Sequence, residues 1–109
     1  MALDHTHPDD VPLQAALDAL AEPVRRAIVR RLAHDPEVTR ACGEFDLPVA
    51  KATASHHFAV LRRAGLIEQV EVGNRRLNRL RREEFDARFP GLLGLVVADE
   101  SDPVAVTRR

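Results

Sequence analysis

The sequence predicts a mainly α-helical fold with a two-stranded β wing, a winged helix-turn-helix, and two neighbouring patterns lead to this prediction. Residues 51–64 have the spacing of an amphipathic helix, and Gly65 follows as a stop. From residue 67 the period of the apolar residues changes to two, and Gly73-Asn74 separates two short strands. A helix followed directly by such a hairpin is typical of proteins that bind DNA, so DNA is the first partner to consider.

Length and composition indicate one small globular domain. The composition, with 45% hydrophobic and 30% charged residues, is ordinary for a globular protein. Because the chain has only 109 residues, its hydrophobic core is only marginally large enough to stabilise a single subunit. We expect a domain at 12–98, flanked by flexible segments at 1–11 and 99–109. No apolar run approaches the roughly 20 residues of a membrane helix, and the acidic start does not resemble a secretory signal. The lone Cys42 excludes an intrachain disulfide, and together these features predict a cytoplasmic protein without membrane contact.

Prolines open both helices predicted before residue 36. Pro12 suits the first position of a helix, and Pro23 can start the next one, which ends at His34-Asp35-Pro36. Apolar residues recur at helical spacing in the first of them: Leu13, Ala16, Leu17 and Leu20. In the second, one side is apolar: Val24, Ala27, Ile28 and Leu32. Residues 37–47 could form one short helix or a turn and a half, and Pro48 then forces a break.

The helix at 51–64 has two contrasting faces. At about 100° per residue, one third of its circumference is the predicted core side: Ala54, His57, Phe58, Leu61 and Gly65. The opposite side is small and polar: Ala52, Ser55, His56, Ala59 and Arg63. A helix that enters a major groove needs such a face, because base edges must approach it closely.

The two adjacent histidines are predicted to have different roles. His57 lies beside Phe58 and Leu61, so we interpret it as a satisfied histidine at the edge of the core. His56 points outward, and its ring could hydrogen-bond a base edge or a phosphate, with a plain surface histidine as the alternative. Lys51 and Thr53, in the first turn, can reach phosphate, although both also fit ordinary helix-start chemistry.

The wing is predicted from residues 67–80. Ile67, Val70 and Val72 interleave imperfectly with polar residues, and the stretch from Arg75 to Leu80 alternates again after the turn. Arg75 and Arg76 lie near the tip of the hairpin. Because arginine commonly contacts the minor groove and phosphates, these two are the predicted wing contacts.

Charge is unevenly distributed along the chain. The net charge is only −1, but residues 51–82 carry eight basic and two acidic side chains, while both ends are acidic. Phosphate attraction depends on the local face rather than on the total, so the near-neutral average does not argue against nucleic acid. Arginines that are merely solvated are the alternative explanation.

The sequence resembles the ArsR/SmtB family of bacterial transcriptional repressors over about residues 12–98. The resemblance rests on three stretches: Leu20-Ala21-Glu22-Pro23 with Arg25-Arg26 and Ile28, Ala52 to Phe58, and Leu61-Arg62 with Ala64 to Ile67. It implies a homodimer that occupies a double-stranded DNA operator and is released by a signal, which could be a small inducer. No cofactor is predicted.

The metal sites of similar family members are not matched here. The resemblance places Gly43 and Phe45 where a Cys-x-Cys-Asp-Leu motif would have its two cysteines, and Cys42 is one position away. A lone thiolate is a poor soft-metal site. Residues 84–98 contain no histidine, so the other familiar metal site, on the last helix, is absent as well.

Two weaker candidates for signal sensing remain. His5 and His7 could form a mobile metal site with nearby aspartates, but an unstructured polar leader is the favoured interpretation. Cys42 could be a redox thiol, although a small buried hydrophobe is favoured because no activating base is evident.

The final helix suggests dimerisation. Pro90 can open it, and the following residues leave almost no polar side, so a short helix cannot bury every face within its own subunit. The predicted dimerisation residues come from this helix and the first one: Leu13, Leu17, Leu20, Leu92, Leu93 and Val96. The alternative is that this element packs into its own core.

Two functions outside DNA binding are the alternatives. A winged-helix module that binds protein would carry an apolar patch on the outward face of the 51–64 helix. A small metalloenzyme using His5, His7, His56 and His57 is poorly supported, because no base, nucleophile and metal-ligand set converges. The sequence therefore favours a non-enzymatic, DNA-binding repressor.

Overall fold

The computed structural model describes residues 3–35, 40–101 and 107–108. Five helices are present in these ranges: α1 (Leu13–Leu20), α2 (Pro23–His34), α3 (Lys51–Arg63), α4 (Arg82–Arg88) and α5 (Leu92–Ala98). The strands are β1 (Arg40–Ala41), β2 (Phe45–Asp46), β3 (Ile67–Val72), β4 (Arg75–Leu80) and β5 (Thr107–Arg108). Short 3-10 turns lie at Pro8–Asp10 and Cys42–Glu44. None of the helices in these ranges is long and apolar enough to cross a bilayer.

The architecture is a winged helix-turn-helix, as the sequence predicts. Strands β3 and β4 form an antiparallel hairpin after α3, and β1 pairs with the far side of β4 in the order β1-β4-β3. Strand β2 pairs with β5. Residues 107–108 of the segment predicted to be a flexible tail therefore form a strand. Residues 102–106 and 109 of that predicted tail lie outside the described residues.

Helix α2 is at the centre of the core. It packs against α1, α3, α5 and β4, which is why its apolar face is completely covered. The largest buried side chains include Ile28 and Leu32 of α2, Leu61 of α3, Phe85 of α4 and Leu93 of α5. A single core therefore joins the helices to the base of the wing.

Several element boundaries differ from the predictions. Pro12 is the N-cap of α1 rather than its first residue, whereas Pro23 does open α2. Residues 40–46 form two short strands around a 3-10 turn, where the sequence left open one short helix or a turn and a half, and residues 37–39 lie outside the described ranges. The final predicted helix begins after Gly91, and α4 precedes it as a separate element that the sequence did not reveal.

The N-terminal segment, expected to be flexible, packs against the end of α3 and the wing. Val11 is 1% exposed, and the backbone carbonyl of Thr6 lies only 3.1 Å from where a Cβ on Gly65 would be. Arg88 donates to the Val11 carbonyl at 3.1 Å. Residues 3–11 therefore form an arm, hereafter the N-terminal arm, that extends across the molecule to α4.

Candidate nucleic-acid interface

Helix α3 begins at the predicted residue, Lys51, and ends at Arg63, one residue before the predicted end. Pro48 precedes it and disfavours helical backbone at Leu47. The carbonyl of the N-cap Ala50 accepts from the backbone N–H of Ala54 at 2.9 Å. At the other end Gly65 has φ 74°, and two hydrogen bonds close the helix: Leu66 N–H to Leu61 O, and Gly65 N–H to Arg62 O. This is a Schellman motif, which fixes the direction in which the chain enters the wing.

The outward face of α3 is exposed and polar. Five side chains predicted to contact DNA from this helix are exposed: Lys51, Thr53, Ser55, His56 and Arg63. Ala52 is exposed between them, and Ala59 is half-buried. No large apolar side chain projects from this face, so close approach of a base edge is sterically open.

His57 lies on the inward face, as predicted, and is 7% exposed. Its Nδ1 accepts from the Arg25 guanidinium at 3.0 Å, and its Nε2 lies 4.0 Å from a Glu22 carboxylate oxygen. Burial is the main cause that lowers the pKa of His57, with Glu22 opposing the shift and Arg25 supporting it. The same arginine donates to the carbonyls of Ala19 and Asp18. Through Arg25, His57 is thus linked to the end of α1 as well as to the start of α2.

The wing places both predicted arginines at its tip. Gly73 has φ 60° and Asn74 follows it, so a two-residue turn joins Val72 to Arg75. Arg75 and Arg76 are both exposed. Arg76 also pairs with Glu71 on β3, with an N–O distance of 3.3 Å. The tip therefore carries two cationic side chains, of which Arg76 has an acidic neighbour.

The inner face of the wing buries two polar side chains, Gln69 and Asn78, beside the apolar Ile67 and Leu80 at its base. Gln69 and Asn78 are 3% and 0% exposed, whereas Val70 is 49% exposed, although the sequence suggested the valine as an apolar strand position. Gln69 donates to the Asn78 side-chain oxygen at 2.8 Å, and both amides donate to the Cys42 sulfur. Arg62 donates to the Gln69 oxygen at 2.5 Å. Because these polar groups hydrogen-bond to each other, burying them carries little free-energy penalty.

The N-terminal arm contributes an acidic residue that sequence reasoning missed. Asp4 accepts from Arg62 at 2.9 Å and from Arg63 at 3.1 Å, so one of the predicted DNA contacts already has a partner. The hydrogen bond from Arg62, followed by that from Arg63, lowers the pKa of Asp4. Sequence separation of nearly 60 residues left no local signal for this contact.

The ring nitrogens of both N-terminal histidines contact protein groups. His5 Nε2 accepts from the backbone of Gln69 at 3.0 Å, on the free edge of β3. His7 Nδ1 accepts from the backbone of Asp9 at 3.1 Å, and its other nitrogen faces Glu84. Among the residues that the structure describes, no group of three histidine, cysteine or acidic side chains could hold a metal ion.

The predicted dimerisation residues separate into two sets. Leu20, Leu93 and Val96 are at most 8% exposed and belong to the subunit's own core, so they are not available to a partner. Leu92 is half-buried. The leucines left on the surface are Leu13 and Leu17 of α1 and Leu95 of α5, which is 73% exposed. The assignment of Leu20, Leu93 and Val96 to a dimer interface is thus wrong, because α5 buries one side against α2 within the subunit.

The sequence is similar to a helix-turn-helix family and to a transcriptional regulator. The family described as "Helix-turn-helix domain" matches residues 20–70, which include α2, α3 and the first part of β3. The HTH-type transcriptional regulator Rv2034 of Mycobacterium tuberculosis is 46% identical over 67 residues. That alignment covers 60% of this chain and 60% of the relative, so the likeness spans less than two thirds of either.

Proposed function

We propose that this protein is a homodimeric DNA-binding transcriptional regulator of the ArsR/SmtB type, and that it acts as a repressor. The observation that carries the proposal is the exposed, polar and sterically open face of α3, with the arginines of the wing beside it. Similarity to a helix-turn-helix family and to a protein named as a transcriptional regulator supports it.

Helix α3 is the proposed reading element. Ser55 and His56 would face the base edges of a major groove, while Lys51 and Thr53 in the first turn would contact phosphates. Arg63, at the other end of α3, would exchange its partner Asp4 for a phosphate. Arg75 and Arg76 at the wing tip would contact the flanking backbone or the minor groove.

The exposed leucines of α1 and α5 support the proposal of a homodimer. Leu13 and Leu17 are 54% and 44% exposed and lie four residues apart, so they share one face of α1. Leu95 of α5 is exposed as well, and a two-fold partner would cover these apolar side chains. Two reading helices could then occupy successive half-sites of a near-palindromic operator.

Repression and release by a signal follow from the resemblance to the family rather than from any contact in the fold. A signal that releases such a regulator must bind the free protein more tightly than the DNA-bound protein. Such a protein would work in the cytoplasm, where it meets the DNA.

A protein-binding winged helix is the competing proposal. It would require an apolar patch on the outward face of α3, and the exposed side chains there are instead polar or small. Val70 and Val72 are exposed on the wing, but they lie on the opposite side of the hairpin from Gln69 and Asn78. The polar face of α3 therefore favours nucleic acid.

Replacing both wing-tip arginines tests the DNA assignment. With Arg75→Ala/Arg76→Ala, affinity for every duplex should fall, because these side chains would bind phosphate and so carry no sequence information. The slope of log affinity against log salt should decrease in magnitude by about 1 for each arginine that binds a phosphate. Fluorescence anisotropy with the protein's own upstream DNA and an unrelated duplex, at several salt concentrations, measures both effects.

Arg79→Ala is the matched control. Arg79 lies on the same strand near the base of the wing and pairs with Glu68 at 3.2 Å, so its removal should leave the affinity nearly unchanged. An equal decrease in the control and the double variant, or no decrease in either, would refute the assignment of the wing tip.

A further inference from the structure

Two cavities adjoin each other between the first turns of α3 and the wing. They have volumes of about 370 and 550 Å³ and share five lining residues. The shared residues lie on the 3-10 turn and on α3: Cys42, Gly43, Lys51, Ser55 and Phe58. Because the lining is common, the two cavities form one cleft with two ends.

One end of the cleft is apolar. Its walls are formed by Phe45, Leu47, Val49 and Phe58. The rings of Phe45 and Phe58 meet edge to face, with centroids 5.4 Å apart, so the two side chains pack against each other in this wall. An apolar chain placed here would leave water for a largely preformed hydrophobic surface.

The other end of the cleft is cationic. Lys51, Arg75 and Arg76 line it, together with the amide groups of Gln69 and Asn74. Of the described residues that line either cavity, none is acidic. An anion would therefore find charge-assisted hydrogen-bond donors at this end and no repelling carboxylate in the lining itself.

We propose that this cleft binds a small amphipathic anion, a carboxylate with a short apolar chain. The chain would lie against Phe45 and Phe58, and the carboxylate would lie among Lys51, Arg75 and Arg76. The separation of an apolar end from a cationic end selects this class over neutral hydrocarbons, which would not use the cations. It also selects against small inorganic anions, which would leave the apolar end empty.

Binding there would oppose DNA binding, a consequence that rests on the proposed function. The cations at the cleft mouth are among the residues proposed to contact phosphate. A ligand carboxylate and a DNA phosphate would then compete for the same donors, so each should weaken the binding of the other. The cleft would provide the signal-binding site that the absence of a matched metal motif leaves open.

The single cysteine gives a direct measure of occupancy. Cys42 is the only cysteine in the chain, it is partly exposed, and it lines both cavities. Octanoate in the cleft should protect this thiol from the neutral reagent iodoacetamide. At ten times its dissociation constant, the alkylation rate at fixed pH should fall about ten-fold.

Four comparison compounds identify what the cleft recognises. Octanoate should protect Cys42 more strongly than butanoate, and acetate, inorganic phosphate and neutral octanol should protect it little. Equal protection by phosphate would indicate only a phosphate site, and equal protection by octanol would indicate only an apolar site. Either result, or no protection by octanoate, would overturn the proposal.

Arg76 and Arg79 provide a matched pair of variants. Both lie on β4, both pair with a glutamate of β3, and their side chains are 45% and 46% exposed, but only Arg76 lines the cleft. Arg76→Gln should weaken octanoate protection about ten-fold, as expected when one charge-assisted hydrogen bond is removed, whereas Arg79→Gln should not. Equal effects in the two variants would contradict the placement of the carboxylate.

DNA binding is measured separately in the same samples. Octanoate, and not acetate, should displace a labelled duplex over the concentration range in which it protects Cys42. Protection without any DNA affinity would support the ligand site and refute the proposed function. DNA binding without protection of Cys42 would support the proposed function and refute the ligand site.

Discussion

His56 and His57 are neighbours in the chain but differ in burial and in hydrogen bonding. His56 is exposed on the outward face of α3, whereas His57 is buried and accepts a hydrogen bond from Arg25. Because the guanidinium donates to Nδ1, the neutral form of His57 is the one that fits. A proton added at Nδ1 would meet the Arg25 N–H groups and break this hydrogen bond.

The lowered pKa of His57 makes the stability of the fold depend on pH. The unfolded chain binds a proton at this residue near pH 6.5, whereas the folded protein binds it only at lower pH. The stabilisation is therefore complete above about pH 6.5 and is lost as the pH falls through the folded-state pKa. Urea unfolding at pH 7.5 and at pH 5.5 should show lower stability at the acidic pH.

The variant His57→Gln separates this effect from other titrations. Glutamine keeps an acceptor for Arg25 but does not titrate, so the pH dependence should become smaller than in the wild type. His56→Gln is the control, because an exposed histidine should contribute little to stability. An unchanged pH profile in His57→Gln would show that other groups cause the dependence.

At the scale of elements, the junction between α3 and the wing depends on Gly65. Its φ of 74° is a conformation that other L-residues adopt at a cost of about 1–2 kcal/mol. A Cβ there would also lie 3.1 Å from both the Thr6 carbonyl oxygen and a Val11 methyl group. The N-terminal arm therefore closes over the end of α3 only because this position has no side chain.

Gly65→Ala should destabilise the protein more than Gly73→Ala. Gly73 also has a positive φ, of 60°, but a Cβ there meets nothing within 4 Å. Gly73→Ala therefore measures only the free-energy cost of the positive φ. The crowding at Gly65 should add about 1–3 kcal/mol, as for an overpacked core position. Thermal or urea unfolding of the two variants measures the difference. Equal destabilisation would mean that the arm moves away without cost.

The division of α5 into a buried and an exposed side also belongs to the element scale. The apolar sequence of α5 cannot show which side faces its own subunit, because almost all of its residues are apolar. Packing against α2 buries Leu93 and Val96 and leaves Leu95 outward. An element that is apolar on all sides is thus divided by its neighbours into a core side and an exposed side.

At the scale of the whole molecule, the proposed homodimer depends on the exposed leucines. Leu13→Ser/Leu17→Ser should shift the protein from dimer to monomer, because it removes apolar area from the proposed interface without touching the core. Binding to a two-half-site operator should fall in parallel. Sedimentation velocity over a range of protein concentrations measures the assembly state.

Val70→Ser/Val72→Ser is the control for the dimer. These valines are 49% and 54% exposed, close to the values of 54% and 44% for the two leucines, but they lie on the wing. Their replacement should not change the assembly state. A monomeric wild type, or dissociation caused by both double variants, would contradict the proposed interface.

Much of the fold could be predicted because the signals are local. Helical spacing, the prolines at 12 and 23, and the turn at Gly73-Asn74 act within a few residues of themselves, so they predict α1, α2, α3 and the wing. The exposed face of α3 follows from the same spacing. The predicted DNA contacts on that face are consequently exposed where the sequence places them, although their contact with DNA stays a prediction.

The sequence by itself thus determined that α1, α2, α3 and the wing form, and which face of α3 is polar. Only the tertiary structure decided what covers each remaining face: Gln69 and Asn78 point inward, Leu93 is buried while Leu95 is exposed, and Asp4 reaches Arg62 and Arg63. Burial and pairing depend on neighbours that are distant in the chain. A polar residue can be buried when another element supplies its hydrogen-bond partners, and local spacing carries no information about that element.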